Sequence, residues 1–474
     1  MEKLITGLND LIWSQALIWL CLGSGLYFSI RTRFLQVRHI GHMVSLLFQS
    51  KGSARGVSSF QAFSLAISGR VGVGNIAGVA TAIAMGGPGA IFWMWVIAFV
   101  GAGSAFVEAA LAQIYKEEIK GEFRGGPAYY IERGLGMKWY AVTFAVATVL
   151  ATGFFLPGVQ AHSIAVAMEN AFRIPQPATG VVVVGLLALI IFGGVKRLAR
   201  TAELVVPFMA LGYILMAAVV VIAHWDRVPG MFALILRSAF GADAAFGGIL
   251  GLAISWGVKR GIYSNEAGQG TAPMAAAAAE VKHPAAQGLV QAFSIYVDTW
   301  FVCTATAFMV LLTGKYNVVN PAGGFLHENI PGVAYGPAYT QAAVDSILPG
   351  FGPGFVAFAL FFFAFTTLMA YYYYSETSLA YLRGHTTSPK SLNTLRIVFL
   401  VVSYIGTTHT TDLAWTFGDI GVGLMAWLNL IAILLLAKPA LACLHDYEAQ
   451  LKAGREPVYL AKQAGVDNAT EWKG

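Results

Sequence analysis

Charge is what this chain has least of. Charged residues make up 11% of its 474 residues, hydrophobic ones 57%, and mean hydropathy is +0.65. That shortage excludes an ordinary soluble surface and points to an integral membrane protein. The net charge of +6 comes without basic runs, so it reads as loop charge at a membrane surface and not as a nucleic-acid footprint. Cysteine is nearly absent. Cys21, Cys303 and Cys443 lie in or beside apolar stretches without paired spacing, which excludes a disulfide framework or zinc site and leaves them as packing residues. His162, His224, His283 and His409 and the scattered carboxylates show no metal-ligand or nucleophile spacing, so neither an enzyme nor a cofactor is expected. Repeated charge rings or a filter, as a passive channel would carry, are missing too. Only Lys3 precedes the first apolar run and no small-residue cleavage site follows, so no removable leader is expected.

What the chain does have is long apolar runs. Spans of about 20 residues are needed to cross a bilayer. Eleven are predicted, near 10–30, 59–85, 89–115, 139–169, 178–194, 203–223, 245–268, 285–313, 352–381, 393–409 and 411–437. With the N-terminus outside, 24 Lys and Arg fall on the inner side, among them Lys51, Arg55, Lys259, Arg260 and Lys473, against five outside. This imbalance predicts a multi-pass protein of the cytoplasmic membrane with its C-terminus inside. The expected layout is an N-terminal span with a basic amphipathic connector (1–58), five spans (59–223), five more (245–437) and a cytoplasmic tail (438–474). The connector's alternative is a disordered linker.

Two spans contain breaks. Ser68-Gly69-Arg70-Val71-Gly72-Val73-Gly74-Asn75 places glycines and an arginine inside the second span, and Trp256 to Gly268 does the same in the seventh. A broken helix survives in lipid only where protein or a water-filled cavity surrounds it, and such breaks mark the binding sites of secondary transporters. Each opens a set of five spans. An odd number of crossings per set inverts the second set relative to the first, which predicts a five-plus-five inverted repeat in an all-α membrane protein. Ordinary kinks and packing glycines are the alternative.

Gly72-Val73-Gly74-Asn75-Ile76-Ala77-Gly78, followed by Gly86-Gly87-Pro88-Gly89, resembles the signature of the alanine/glycine:cation symporter family. So does Ser264-Asn265-Glu266-Ala267-Gly268 with His283-Pro284, Gln287-Gly288 and Asp298-Thr299. The resemblance runs from about 55 to 440. It implies the amino acid, polyamine and organocation superfamily, a leucine-transporter-like fold and carriage of small neutral amino acids with Na⁺ or H⁺. Proton coupling and exchange stay open beside Na⁺ symport, and a monomer is the expected state.

The residues suit that chemistry. A zwitterion needs donors for its carboxylate and acceptors for its ammonium. N–H groups freed near Gly72 and Gly74 can serve the first, and carbonyls near Arg70 or in the seventh-span break, with Gly257 and Tyr263 beside it, the second. The resemblance to sodium-coupled symporters of this fold implies the carbonyls of Ser68 and Val71 as Na⁺ ligands. It also turns Gln160 toward substrate, though an interhelical hydrogen bond is its alternative; His162, two positions on, should face away. Thr366 and Thr367 are hard oxygen donors on an otherwise apolar helix and the expected Na⁺ pair, unless they bond back to their own helix. Tyr371, one turn on, would wall the pocket. It stands where the family more often has Trp, which leaves the exact substrate open. Arg70, about 18 Å deep at 1.5 Å per residue, should pair with Asp298 or Glu376 or stand in for a cation. Asn75 and Asp298 are candidates for coupling or gating, and Asn265 and Glu266 for a gate or cap.

Overall fold

A computed structural model describes residues 2–49, 56–243, 245–384, 388–408 and 411–472. Lys51, Arg55, His409 and Lys473 lie outside them. The chain is mostly helical, and among the described residues eight helices are each long and apolar enough to cross a membrane. The bent pair Ser59–Arg70 and Gly74–Gly86 makes a ninth, with 51° between its halves. Of the two other expected spans, one falls on the shorter apolar helix Gln176–Ile191 and the other on Leu250–Asn265, interrupted before Ala272–Ala277; neither is long and apolar enough to be counted with the nine. The outward faces are apolar: Leu204, Phe208 and Ile222 on helix Gly194–Ala223 are 78%, 70% and 75% exposed. Surfaces of that kind need lipid against them.

The first broken span starts at a capping box. Ser58 accepts from the Gln61 amide at 3.1 Å, and the Gln61 side chain accepts from the Ser58 amide at the same distance. The helix stops at Arg70 because Val71 turns extended (φ −80°, ψ 90°), and the chain resumes as a π-helical turn over Gly74–Gly78. The second broken span stops at Asn265. Glu266 takes φ +55°, and Gly268 and Gly270 follow at +78° and +88°, angles that suit glycine. The break therefore falls at residues 266–271, and Gly257, expected in it, sits inside the helix as a packing glycine. A β-carbon there would lie 2.5 Å from the Ala90 carbonyl and 2.6 Å from Trp93 Cβ.

Helix Gly89–Ile114 lies behind both breaks, packed against Pro284–Ile295, Leu250–Asn265 and Gln15–Arg31. Its Gly101 and Gly103 let Ala267 and the backbone of Ser29 come close. Opposite, helix Gly352–Leu382 packs against Ser59–Arg70 and Leu156–Phe172.

The connector forms short helices at Leu35–Arg38 and Ile40–Leu47, burying Met43, Leu46 and Leu47. Its polar side meets protein. His39 and Arg38 reach Glu448 at 2.9 and 2.8 Å, and His42 reaches the Tyr447 hydroxyl at 2.8 Å. Burial alone would raise the Glu448 carboxyl, but these hydrogen bonds and the neighbouring cations hold it below its ordinary value. The tail is folded: Ala437–Lys452 is a helix, and the Trp472 indole donates to the Gln113 carbonyl at 2.8 Å.

Lys259 and Arg260, counted above as inner-side charges, are buried in helix Leu250–Asn265 and both contact one oxygen of Asp419, at 2.7 and 2.8 Å. An ion-paired interior cation says nothing about which side a loop faces.

The close approach at Gly257 yields a prediction. Gly257→Ala should lower the melting temperature in detergent, because overpacking a tight contact costs about 1–3 kcal/mol. An unchanged melting temperature would show that the helices separate freely there.

Candidate functional site

The break at Val71–Val73 exposes backbone groups in the protein interior, and side chains from three other elements meet them. Two carbonyls from the end of the first half-helix, Ser68 and Val71, accept from the Thr367 hydroxyl at 2.9 and 3.4 Å. The same hydroxyl is 2.9 Å from its own-helix carbonyl of Phe363. The Ser68 side chain is turned to Ser64 O at 2.8 Å, so only its carbonyl faces the break. Gly72 lies against this group: a β-carbon there would be 2.4 Å from Thr367 Oγ1 and 3.2 Å from Gln160 Oε1.

The freed amides already have partners. Gly72 N–H donates to Asn75 Oδ1 at 2.8 Å, and Val73 N–H to Gln160 Oε1 at 3.3 Å. Gly74 packs on the second broken span, where a β-carbon would sit 3.2 Å from Tyr263 Cδ1. Tyr263 packs at a tilt against Trp415, 5.6 Å between centroids. Tyr371 is buried, with Gln160, Tyr263, Glu266 and Tyr374 as polar neighbours.

Asp298 joins the two broken spans. One of its oxygens accepts from the Asn75 amide at 2.7 Å; Ser264 Oγ lies 3.0 Å from each oxygen, and Thr299 Oγ1 donates at 2.8 Å. Asn75 is held from its other end too, since its carbonyl accepts from Thr306 Oγ1 at 2.7 Å. Asp298 and Thr299 sit on a π-helical stretch, Tyr296–Cys303, and a second π-turn at Ala151–Phe155 precedes Gln160. Such turns often mark functional positions, because the extra residue re-aims side chains.

Several sequence-based expectations change here. Thr366 does not face the break: its hydroxyl lies 3.0 Å from the carbonyls of Phe362 and Phe363 in its own helix and 3.7 Å from Met209 Sδ. One residue along a helix turns a side chain by 100°, and in this structure it is Thr367 that is turned toward the break. Arg70 pairs with neither Asp298 nor Glu376. Its Nη1 donates toward Gln291 (Oε1 at 3.3 Å) and to Ser294 Oγ, while Nε and Nη2 have no hydrogen-bond partner among the described residues. Glu376 is taken by Arg124 at 2.5 Å and by the Tyr372 hydroxyl at 2.5 Å. Cys303, read as packing, also touches the polar site: its Sγ is 3.3 Å from Asn75 Nδ2 and 3.2 Å from Ser264 Oγ. Gly257 and the break do not meet.

Other contributors escaped the sequence reading. Glu108, buried in helix Gly89–Ile114, accepts from Gly268 N–H at 3.2 Å and Asn429 Nδ2 at 2.8 Å, so it ties the second break to helix Thr411–Leu435. A carboxylate within an apolar helix was the available signal. Gln291 and Ser294 were not singled out, because a polar residue on an amphipathic face is unremarkable until Arg70 is seen against it.

A membrane protein with two broken helices side by side, carbonyl and hydroxyl oxygens converging at one break and a carboxylate bracing both, is a cation-coupled secondary carrier. More narrowly, the chain belongs to the sodium:alanine symporter family, whose model matches residues 1–461. Among its relatives, YrbD of Bacillus subtilis (strain 168) is 58% identical over 100% of this chain and 98% of its own length. The sodium/proton-dependent alanine carrier protein of Bacillus sp. (strain PS3) is 52% identical over 91% and 97%, and the sodium/alanine symporter AgcS of Methanococcus maripaludis 38% over 92% and 94%. The crystal structure of MhsT in complex with L-phenylalanine shares the fold, with TM-score 0.53 at 13% identity over 83% of this chain and 99% of that one.

The bracing role of Asp298 can be tested. Asp298→Asn turns an amide toward hydroxyl and amide donors. Leaving a buried polar group unmatched costs about 1–3 kcal/mol, so the melting temperature should fall. No change would mean that the two broken spans hold together without it.

Proposed function

We propose that this protein carries small neutral amino acids, alanine and glycine foremost, into the cell together with Na⁺. The observation that carries the reading is the convergence of the Ser68 and Val71 carbonyls on Thr367 Oγ1 across the break. Na⁺ is a hard cation and takes oxygen donors of this kind. A Thr hydroxyl also has lone pairs, so it can turn from donating to the carbonyls to ligating an ion beside them.

The amino acid binds next to that site, between the break and the side chains of Gln160, Tyr263 and Tyr371. Val73 N–H, held by Gln160 at 3.3 Å, is the looser of the two capped amides, so the substrate carboxylate displaces Gln160 there while Asn75 keeps Gly72. The tyrosines limit the pocket to small side chains. The sets 59–223 and 245–437 rock against each other about this site. The N-terminus faces outside, the tail inside, and one copy suffices. The related carriers named sodium/proton-dependent make proton coupling the second reading.

Concentrative L-alanine uptake into proteoliposomes under an imposed Na⁺ gradient tests this. A channel would only equilibrate alanine, and an enzyme would consume it. Thr367→Val should lower the apparent Na⁺ affinity at least about tenfold, where each 1.4 kcal/mol is a factor of ten. Saturating Na⁺ should largely restore alanine binding, because coupling is reciprocal. Thr366→Val, pointing elsewhere, should keep the native Na⁺ dependence. If Thr367→Val keeps it as well, the Na⁺ site is somewhere else.

Gln160→Ala and Tyr371→Ala should each weaken alanine binding in a folded protein. Unaltered dissociation constants in both would remove them from the pocket.

A further inference from the structure

Five carboxylates are buried among the described residues: Glu108, Glu266, Asp298, Glu376 and Asp419. Four have donors. Asp298 has Asn75, Ser264 and Thr299; Glu108 has Asn429 and Gly268; Glu376 has Arg124 and Tyr372; Asp419 has Lys259 and Arg260. Glu266 is the exception. It is 1% exposed, and among the described residues neither of its oxygens has a hydrogen bond of ordinary geometry, the Thr271 hydroxyl being the donor that faces it. The buried arginines among the described residues show a matching exception. Arg124 and Arg260 are each paired with a carboxylate, but Arg70, also 1% exposed, is not, and its Nε and Nη2 are unpartnered.

These two lone groups are close neighbours. Arg70 ends the helix before the first break, and Glu266 opens the second. A β-carbon on Gly69, the residue before Arg70, would lie 3.1 Å from Glu266 Oε2 and 2.5 Å from the Tyr374 hydroxyl, itself unpartnered. Gly69 thus leaves room for the carboxyl against the backbone of the Arg70 helix. The other groups facing Glu266 are Thr271 from its own span, Tyr263, Asp298, Glu108, and Tyr371 with Tyr374 from the tyrosine-rich helix.

An ionised carboxylate buried without donors is among the most costly arrangements in a protein interior, whereas a neutral carboxyl is far cheaper. The arrangement seen here suits a neutral Glu266. Once ionised, the same side chain has one reachable counter-ion, Arg70, and pairing would pull the ends of both broken helices together. We propose that Glu266 is the proton-binding site of this carrier and Arg70 its counter-ion, so that gain or loss of the proton at Glu266 shifts the two broken helices between conformations that bind alanine differently. The proton comes from water on the loading side and leaves to water on the other, and no other bond changes. The proposal rests on the carrier reading above and assigns the site of its second coupling ion.

The test titrates purified protein with L-alanine at fixed Na⁺ from acid to alkaline pH, using wild type, Glu266→Gln, Glu266→Asp and Arg70→Met, with a pH indicator to count protons. Wild-type alanine affinity should fall at least about tenfold from the acid to the alkaline limit, with proton uptake accompanying binding. Glu266→Asp should keep a pH-dependent affinity, Arg70→Met should displace the midpoint, and Glu266→Gln should show no pH dependence. A wild-type affinity that ignores pH overturns the proposal, as does a Glu266→Gln variant with the wild-type profile. Should Glu266→Gln not fold, the wild-type and Arg70→Met profiles decide: coincident midpoints overturn the pairing. Na⁺-dependent alanine binding without pH dependence defeats the proton site alone, whereas no alanine binding at any pH defeats the carrier reading.

Discussion

Backbone N–H and C=O groups inside a membrane protein must find partners, and water is not there to provide them. The rest of this structure depends on that constraint. Interrupting a helix at Val71–Val73 frees amides and carbonyls, and these recruit Asn75, Gln160 and Thr367 from three elements. What satisfies the break in this conformation is also what an amino acid and a cation would exchange with. In the proposed function, binding and folding draw on one set of backbone groups, so loading and unloading would not expose bare polar atoms to lipid.

Glycine does two distinct jobs here. At Gly72 it lets Thr367 and Gln160 reach the backbone, and at Gly268 and Gly270 it permits the positive φ angles of the second break. At Gly101, Gly103 and Gly257 it only lets helices touch. The two uses look alike in a one-dimensional pattern, and that is why Gly257 was expected in a break it does not share.

The charged interior is organised in local pairs and not as a single chain. Asp419 gathers Lys259 and Arg260 beneath Trp256, Tyr263 and Trp415, whose ring faces lie 5.2–5.4 Å from the Arg260 guanidinium. Cations over aromatic faces suit a dry setting. Asp298 gathers neutral donors instead, Asn75 from one broken span and Ser264 from the other. The connector and tail grip each other through Glu448 and Tyr447, which ties the first and last parts of the chain together next to the helices that must move.

The amino-acid sequence by itself determined the setting and the breaks. Long apolar runs have few structural alternatives once they exceed the thickness of a bilayer, and an asparagine and an arginine within such a run have no inexpensive explanation except a polar site. Gln160 and Thr367 were legible because polar groups in apolar spans stand out, and the family resemblance extended that signal along the chain. The tertiary structure decided the rest. That Thr367 faces the carbonyls while Thr366 turns back on its own helix depends on helix rotation, which a neighbouring packing surface sets. That Arg70 finds Gln291 and Ser294 and leaves Asp298 to Asn75 depends on contacts more than 200 residues apart in the chain. A hydropathy pattern records which side chains avoid water, but which polar group meets which is settled only when the helices pack.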